Sequence, residues 1–370
     1  MARTALPRSL DYFWEGRLVR FLGVPPWGAA VIVTLVVAAT YFVPGYGLGL
    51  LPIELELRDS NIPLDPYSYA AIITSMLAGF TVFALPFGHI RHQENIVLLE
   101  PVIPSLDRAG LRQLYDTQTQ GNARRRTVVI AIGWGLGLLF PLLTVPGALT
   151  LLTGLDDLWE TNLPPAAYVA AGWFLIVVPV LISSLAKASY LMVSDVRQVL
   201  ADVERRIVVG PLDADALRPL ASAGLHTSFV WMIGAALGGF FVINANIPPY
   251  AIWVMIGGIA LLGGLAAVAP ARAGRRILRR AKSAALADVR AAIARQHRDV
   301  LDPAKPDNAD DDTGLMKLGA LLAYEQRLET ARETPIDMPA IAQFTLYLAI
   351  PVGSWLGGAF VERMVDAALG

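Results

Sequence analysis

Few residues in this chain are suited to chemistry. His89, His92 and Glu94 stand at i, i+3 and i+5. On a helix the two imidazoles share a face, while the carboxylate is rotated by about 200° from His92. A zinc ion would need a further ligand from elsewhere, and histidines making ordinary hydrogen bonds near a membrane interface are the simpler expectation. His226 is expected at the start of an apolar span and His297 on a polar helix, neither within a motif. The absence of Cys removes thiolate metal sites, Cys nucleophiles and disulfides. No carboxylate falls in the middle of an apolar run, which leaves a proton relay or cation-coupled carrier without an obvious donor. The expectation is therefore no enzyme, no metal and no cofactor. Gly45-Tyr46-Gly47 has the composition of a potassium filter, but such a filter follows a pore helix. Here the tripeptide ends the first apolar run, so a loosened helix end is expected.

The last apolar run carries a more suggestive pattern. At about 100° per residue, Gln343, Tyr347, Ser354 and Gly358 fall on one narrow stripe, with Glu362 following nearby. Phe344, Leu346, Leu348, Ile350 and Leu356 mostly lie elsewhere. A stripe of this kind could line a wet pore, with Glu362 at its outer mouth drawing cations. Gly353 and Gly357 form a small-x-x-x-small pair that suits close helix packing, and the two roles can coexist on one helix.

The elements that would position these residues are apolar helices. The chain of 370 residues is 55% hydrophobic and 16% charged, with a mean hydropathy of +0.52; soluble domains carry about 25% charged residues. A net charge of −1 gives no nucleic-acid footprint. Runs long enough to span lie at 28–50, 67–88, 127–152, 166–186, 227–247 and 250–271, none with a central charge. A seventh, 339–361, is apolar but interrupted by Pro351 and several glycines. The fold class is thus all-α, a polytopic membrane protein with seven transmembrane helices. Of the 30 Lys and Arg, all but Arg58 and Arg363 lie in 1–26, 89–126, 187–226 or 272–338, while the remaining loops are short and acidic. By the positive-inside rule those basic segments are cytoplasmic, which puts the N-terminus inside and the C-terminus outside.

This predicts a cytoplasmic arm (1–26), spans one to four with a cytoplasmic loop 89–126 (27–188), and a cytoplasmic helical hairpin (189–226). Spans five and six follow (227–271), then cytoplasmic helices with a linker (272–335), and finally helix seven (336–370). Leu10, Phe13, Trp14, Leu18, Phe21 and Leu22 give the arm a helical apolar face, with Ser9 placed as its cap. That helix lies in the interface or packs on protein. Met192, Val196, Val199, Leu200, Val203 and Ile207 extend span four as an amphipathic helix. Leu278, Ala281, Ala285, Val289, Ala292 and Ile293 do the same for span six. Asp213 is placed to cap the helix returning to span five. The segment 302–312, with two Pro and five Asp, reads as a disordered linker before a helix at 314–333.

This layout resembles that of the insect odorant and gustatory receptors. The resemblance implies a tetrameric cation channel whose last span (339–361) lines a central pore, anchored by 189–207, 213–226, 272–298 and 314–333. It also implies gating by a small-molecule ligand. The likeness is one of layout: that family's short C-terminal motif is absent, so no individual residue role carries over. The composition, with only four Lys, and the stretch Gly353–Asp366 resemble prokaryotic membrane proteins, implying a prokaryotic cell membrane. The expected partners are the lipid bilayer, further copies of the chain and a small ligand, with no nucleic acid. The competing expectation is a signalling or scaffolding protein that acts through its cytoplasmic helices, followed by a transporter.

Overall fold

The structure is a computed structural model. It describes residues 10–11, 13–49, 66–121, 123–154, 165–192, 196–243, 249–301 and 311–334, together with 342, 345–347, 349 and 353. Every regular element among them is a helix. In chain order these are α1 (Trp14–Leu22), α2 (Pro26–Gly47), α3 (Pro66–Val97), α4 (Arg108–Gly121), α5 (Ala123–Thr144) and α6 (Ala148–Thr153). Then come α7 (Pro165–Tyr190), α8 (Val196–Arg206), α9 (Arg218–Gly239), α10 (Pro249–Leu301) and α11 (Asp311–Thr330).

Five helices among the described residues are long and apolar enough to cross a membrane: α2, α3, α5, α7 and α9. They are not equivalent. The apolar windows of α3 and α9 are 72% and 67% buried, whereas those of α2 and α5 are 17% buried. α3 is therefore the central post, packed against α2, α7 and α9, and α5 lies outside along α7. The close approach of α5 to α7 depends on Gly133 and Gly137. A Cβ added at these positions would stand 2.7 Å from Ser183 Cα and 2.5 Å from Pro179 Cα. This is small-x-x-x-small packing, backbone against backbone.

Several boundaries differ from the sequence expectation, each for a local reason. The run 127–152 divides where Pro146 and Gly147 (φ 84°) end α5 and start the short α6. α9 begins at Arg218, one residue before Pro219 in its first turn, so His226 lies within the helix rather than at its start. The segment 89–126 is largely helical, because α3 continues to Val97 and α4 follows. Asp213 precedes a 3-10 turn and makes no side-chain cap bond. α1 starts at Trp14 without a side-chain cap, and Ser9 lies outside the described residues.

The extension of the sixth run is continuous. α10 is 53 residues long, about 80 Å at 1.5 Å per residue. Along it Leu278 and Val289 are buried, and α11 packs against it. Arg290 bridges Glu325 and Glu329, and Arg279 and Lys282 hold Glu333. α11 covers Asp311–Thr330, so the end of the expected linker is helical; 302–310 lie outside the described residues.

Candidate functional site: a polar core at the basic end of the bundle

Two buried polar groups meet where α1, α3, α4, α7 and α9 converge. The first is an ion pair. The Lys187 ammonium, at the end of α7, donates to both carboxylate oxygens of Glu15 on α1, at 2.6 and 2.7 Å. The side chains are 7% and 0% exposed. The Trp14 ring lies 5.7 Å from the ammonium, and the Arg126 guanidinium lies 5.5 Å from the Phe13 ring. Phe13 and Val19 are buried beside them, whereas Phe21, Arg17 and Arg20 face outward. The arm is thus packed on protein through one face and open on the other. A lysine and a carboxylate leave water together only when each satisfies the other, because a lone buried charge is far more expensive.

The second group is built on the last turns of α3. His89, His92, Gln93 and Asn95 are all buried. The Tyr115 hydroxyl on α4 lies 3.3 Å from His89 Nδ1. Thr227 Oγ1 on α9 lies 2.7 Å from His92 Nε2 and 3.0 Å from the Ala223 carbonyl oxygen. The threonine hydroxyl has one proton and donates it to that carbonyl, so His92 Nε2–H donates to Thr227. Asn95 Nδ2 donates to His226 Nδ1 at 3.4 Å, with Ser222 Oγ 3.5 Å from the same nitrogen. Gln93 Nε2 donates to Asp116 Oδ1 at 3.2 Å. Phe13 sits edge-on to His89 at 5.7 Å and joins the two groups. Cavities of about 20 Å³ and 10 Å³ flank His92; each is about the size of one water, the first lined partly by His89 and Tyr115 and the second mostly by apolar side chains.

The core holds imidazoles, hydroxyls and amides in fixed mutual orientation through these bonds. Glu94, expected near the histidines, instead pairs with Arg91 at 2.9 Å on the exposed side, as its rotation about the helix requires. Among the described residues no group of three or more His, Asp or Glu is placed to hold a metal ion.

The residues of the last run are placed only in part. The Tyr347 ring packs 4.8 Å from the Phe229 ring of α9 and is half-buried. Ala342, Thr345, Leu346, Ala349 and Gly353 are exposed, and a Cβ at Gly353 would meet nothing. Gln343, Ser354, Gly357, Gly358 and Glu362 lie outside the described residues.

The Glu15–Lys187 pair was missed at the level of sequence. Its signal was a lone carboxylate inside the apolar face of the arm and a lone Lys closing the fourth run. Their separation of 172 residues hid the match. The comparisons add nothing further: no protein family, no curated protein and no solved structure matches this chain.

Proposed function

We propose that this chain is a multi-pass membrane protein of seven spans that assembles with copies of itself around a cation-conducting pore. In this reading α2, α3, α5, α7 and α9 are five of the spans, and the apolar part of α10 is the sixth. The run 339–361 is the seventh, and the basic end of the bundle faces the cytoplasm. The observation that carries the pore is the placement of the last run. Tyr347, expected on the pore stripe, packs instead against Phe229 of α9, so in this reading the pore side of the helix is the opposite face, where Ala342, Thr345, Ala349 and Gly353 are exposed. These small side chains suit both water and the close approach of a second copy. Glu362, which follows this run in the sequence, is expected at its outer end, where a carboxylate raises the local cation concentration.

Purified protein in liposomes tests this. Monovalent cations are expected to pass, Ala349→Trp to block them, and Glu362→Lys to weaken the preference for cations over anions. A monomer in detergent, or liposomes that pass no ions, defeats the proposal.

A second reading is favoured by one observation. α11 exposes Leu315, Met316, Leu322 and Tyr324 although it is ion-paired along α10. An apolar outer surface on a polar hairpin suits a protein partner, as a scaffold would need. Substitution of these four residues that abolishes function while ion flux is unchanged would select that reading.

A further inference from the structure

We propose that the outward face of α5 binds an anionic phospholipid, whose headgroup phosphate is held by Arg124 and Arg125. The two faces of this helix differ. Taking Arg124 as the origin and about 100° per residue, Arg126, Gly133 and Gly137 lie near 200°. Gly133 and Gly137 meet α7 there, and Arg126 turns inward over Phe13. Val128, Ile132, Leu136, Leu139 and Leu143 lie between about 40° and 120°, and all five are exposed. Arg124 and Arg125, at about 0° and 100°, frame the basic end of that stripe and are exposed.

Neither arginine is paired with a described carboxylate, which holds also for Arg295 and Arg298 on the polar part of α10; Arg124 and Arg125 differ in adjoining the exposed apolar stripe. Three cations in the first turn also oppose the helix dipole. A phosphate at this end relieves both conditions, and two guanidinium groups can grip it with paired hydrogen bonds. From Val128 to Leu143 the stripe runs about 23 Å, most of the roughly 30 Å hydrocarbon core, and so offers an acyl chain a continuous apolar track. A second copy of the chain would need a carboxylate facing these arginines; an anionic lipid brings its own charge.

The proposal rests on α5 being a membrane helix and is independent of conduction. The test is native mass spectrometry of delipidated full-length protein, titrated with phosphatidylglycerol or with phosphatidylcholine of the same chains. Phosphatidylglycerol is expected to be retained preferentially. Arg124→Gln with Arg125→Gln should weaken its binding by about 25-fold, at about 5-fold per arginine near the membrane surface. Arg124→Lys with Arg125→Lys should keep most of it, and Arg295→Gln with Arg298→Gln, far along α10, should change nothing. Undiminished retention in the first pair, no preference between the lipids, or displacement by equimolar inorganic phosphate overturns the proposal. So does an Ile132→Cys variant that forms disulfide-linked dimers, since the chain has no Cys of its own and the bond would put a second copy on this face. Because ions are not measured, failure of the channel reading leaves this result standing.

Discussion

Glu15→Gln removes one charge of the buried pair and leaves the Lys187 ammonium among Trp14, Phe13 and the end of α7 with no counter-charge. Two short charge-assisted hydrogen bonds, at 2.6 and 2.7 Å, are broken or weakened. Removing one member of a fully buried ion pair destabilises by about 3–5 kcal/mol, because the remaining ion stays dehydrated. Lys187→Met should cost a similar amount by stranding the carboxylate. The double change Glu15→Leu with Lys187→Met removes both ions, and apolar replacements of similar volume should return stability to within about 1–2 kcal/mol of wild type. In the cycle closed by Glu15→Leu and Lys187→Met as the single changes, the coupling energy is then at least about 4 kcal/mol. Thermal unfolding in detergent measures it, and tryptic cleavage after Arg17 and Arg20 reports release of the arm. Single variants that each lose under about 1 kcal/mol, or effects that simply add, would show that the pair does not hold α1 to α7.

Three further outcomes follow from the same geometry. Hydrogen bonds from Arg279, then Lys282, hold the Glu333 carboxyl below the usual carboxylate range. A folded value below the unfolded one means that this contribution is complete above about pH 4.3 and fades as pH falls through the lower folded value. Spin labels on α10 and α11 beside Glu333 should therefore report loosening of that end in acid, and Glu333→Gln should loosen it at neutral pH while the Arg290 pairs hold the rest. Gly137→Leu puts a side chain where a Cβ alone would lie 2.5 Å from Pro179 Cα, so α5 must leave α7; disulfide trapping between the two helices should be lost, whereas Gly135→Leu, which faces open space, should be tolerated. Thr227→Val removes the acceptor of the His92 Nε2–H in a buried site and should lower stability by about 1–3 kcal/mol, as thermal unfolding will show.

Hydropathy located the apolar helices because each must bury or immerse a continuous run of about 20 residues, a property of neighbouring residues in the chain. It placed α2 within three residues at either end and followed α10 through its long polar extension by the spacing of Leu278 and Val289. It failed where the chain stays helical without being apolar. The turns Arg91–Val97 and the whole of α4 are polar enough to read as loop, yet His92 and Asn95 are buried against α9, and Tyr115 of α4 is buried against α3. It failed also at Pro146-Gly147, where backbone conformation overrides an unbroken apolar run. The pair Gly133 and Gly137 was visible as small residues four apart, the same signal recognised at Gly353 and Gly357.

The polar core was obscured for a different reason. Its bonds among α1, α3, α7 and α9 join residues far apart in the chain: Glu15 to Lys187, His92 to Thr227, Asn95 to His226. No periodicity within one helix encodes such a match. A buried polar side chain is tolerated only when its partner arrives from another helix, so these pairings constrain how α1, α3, α7 and α9 can be arranged. The outward faces of α2 and α5 carry no such constraint, since any apolar side chain serves there. Substitutions in the two regions should therefore differ in kind. Changes at the basic end of the core alter how the helices pack against one another, whereas changes at the exposed Val128, Ile132, Leu136, Leu139 and Leu143 leave that packing intact and alter only what lies against it.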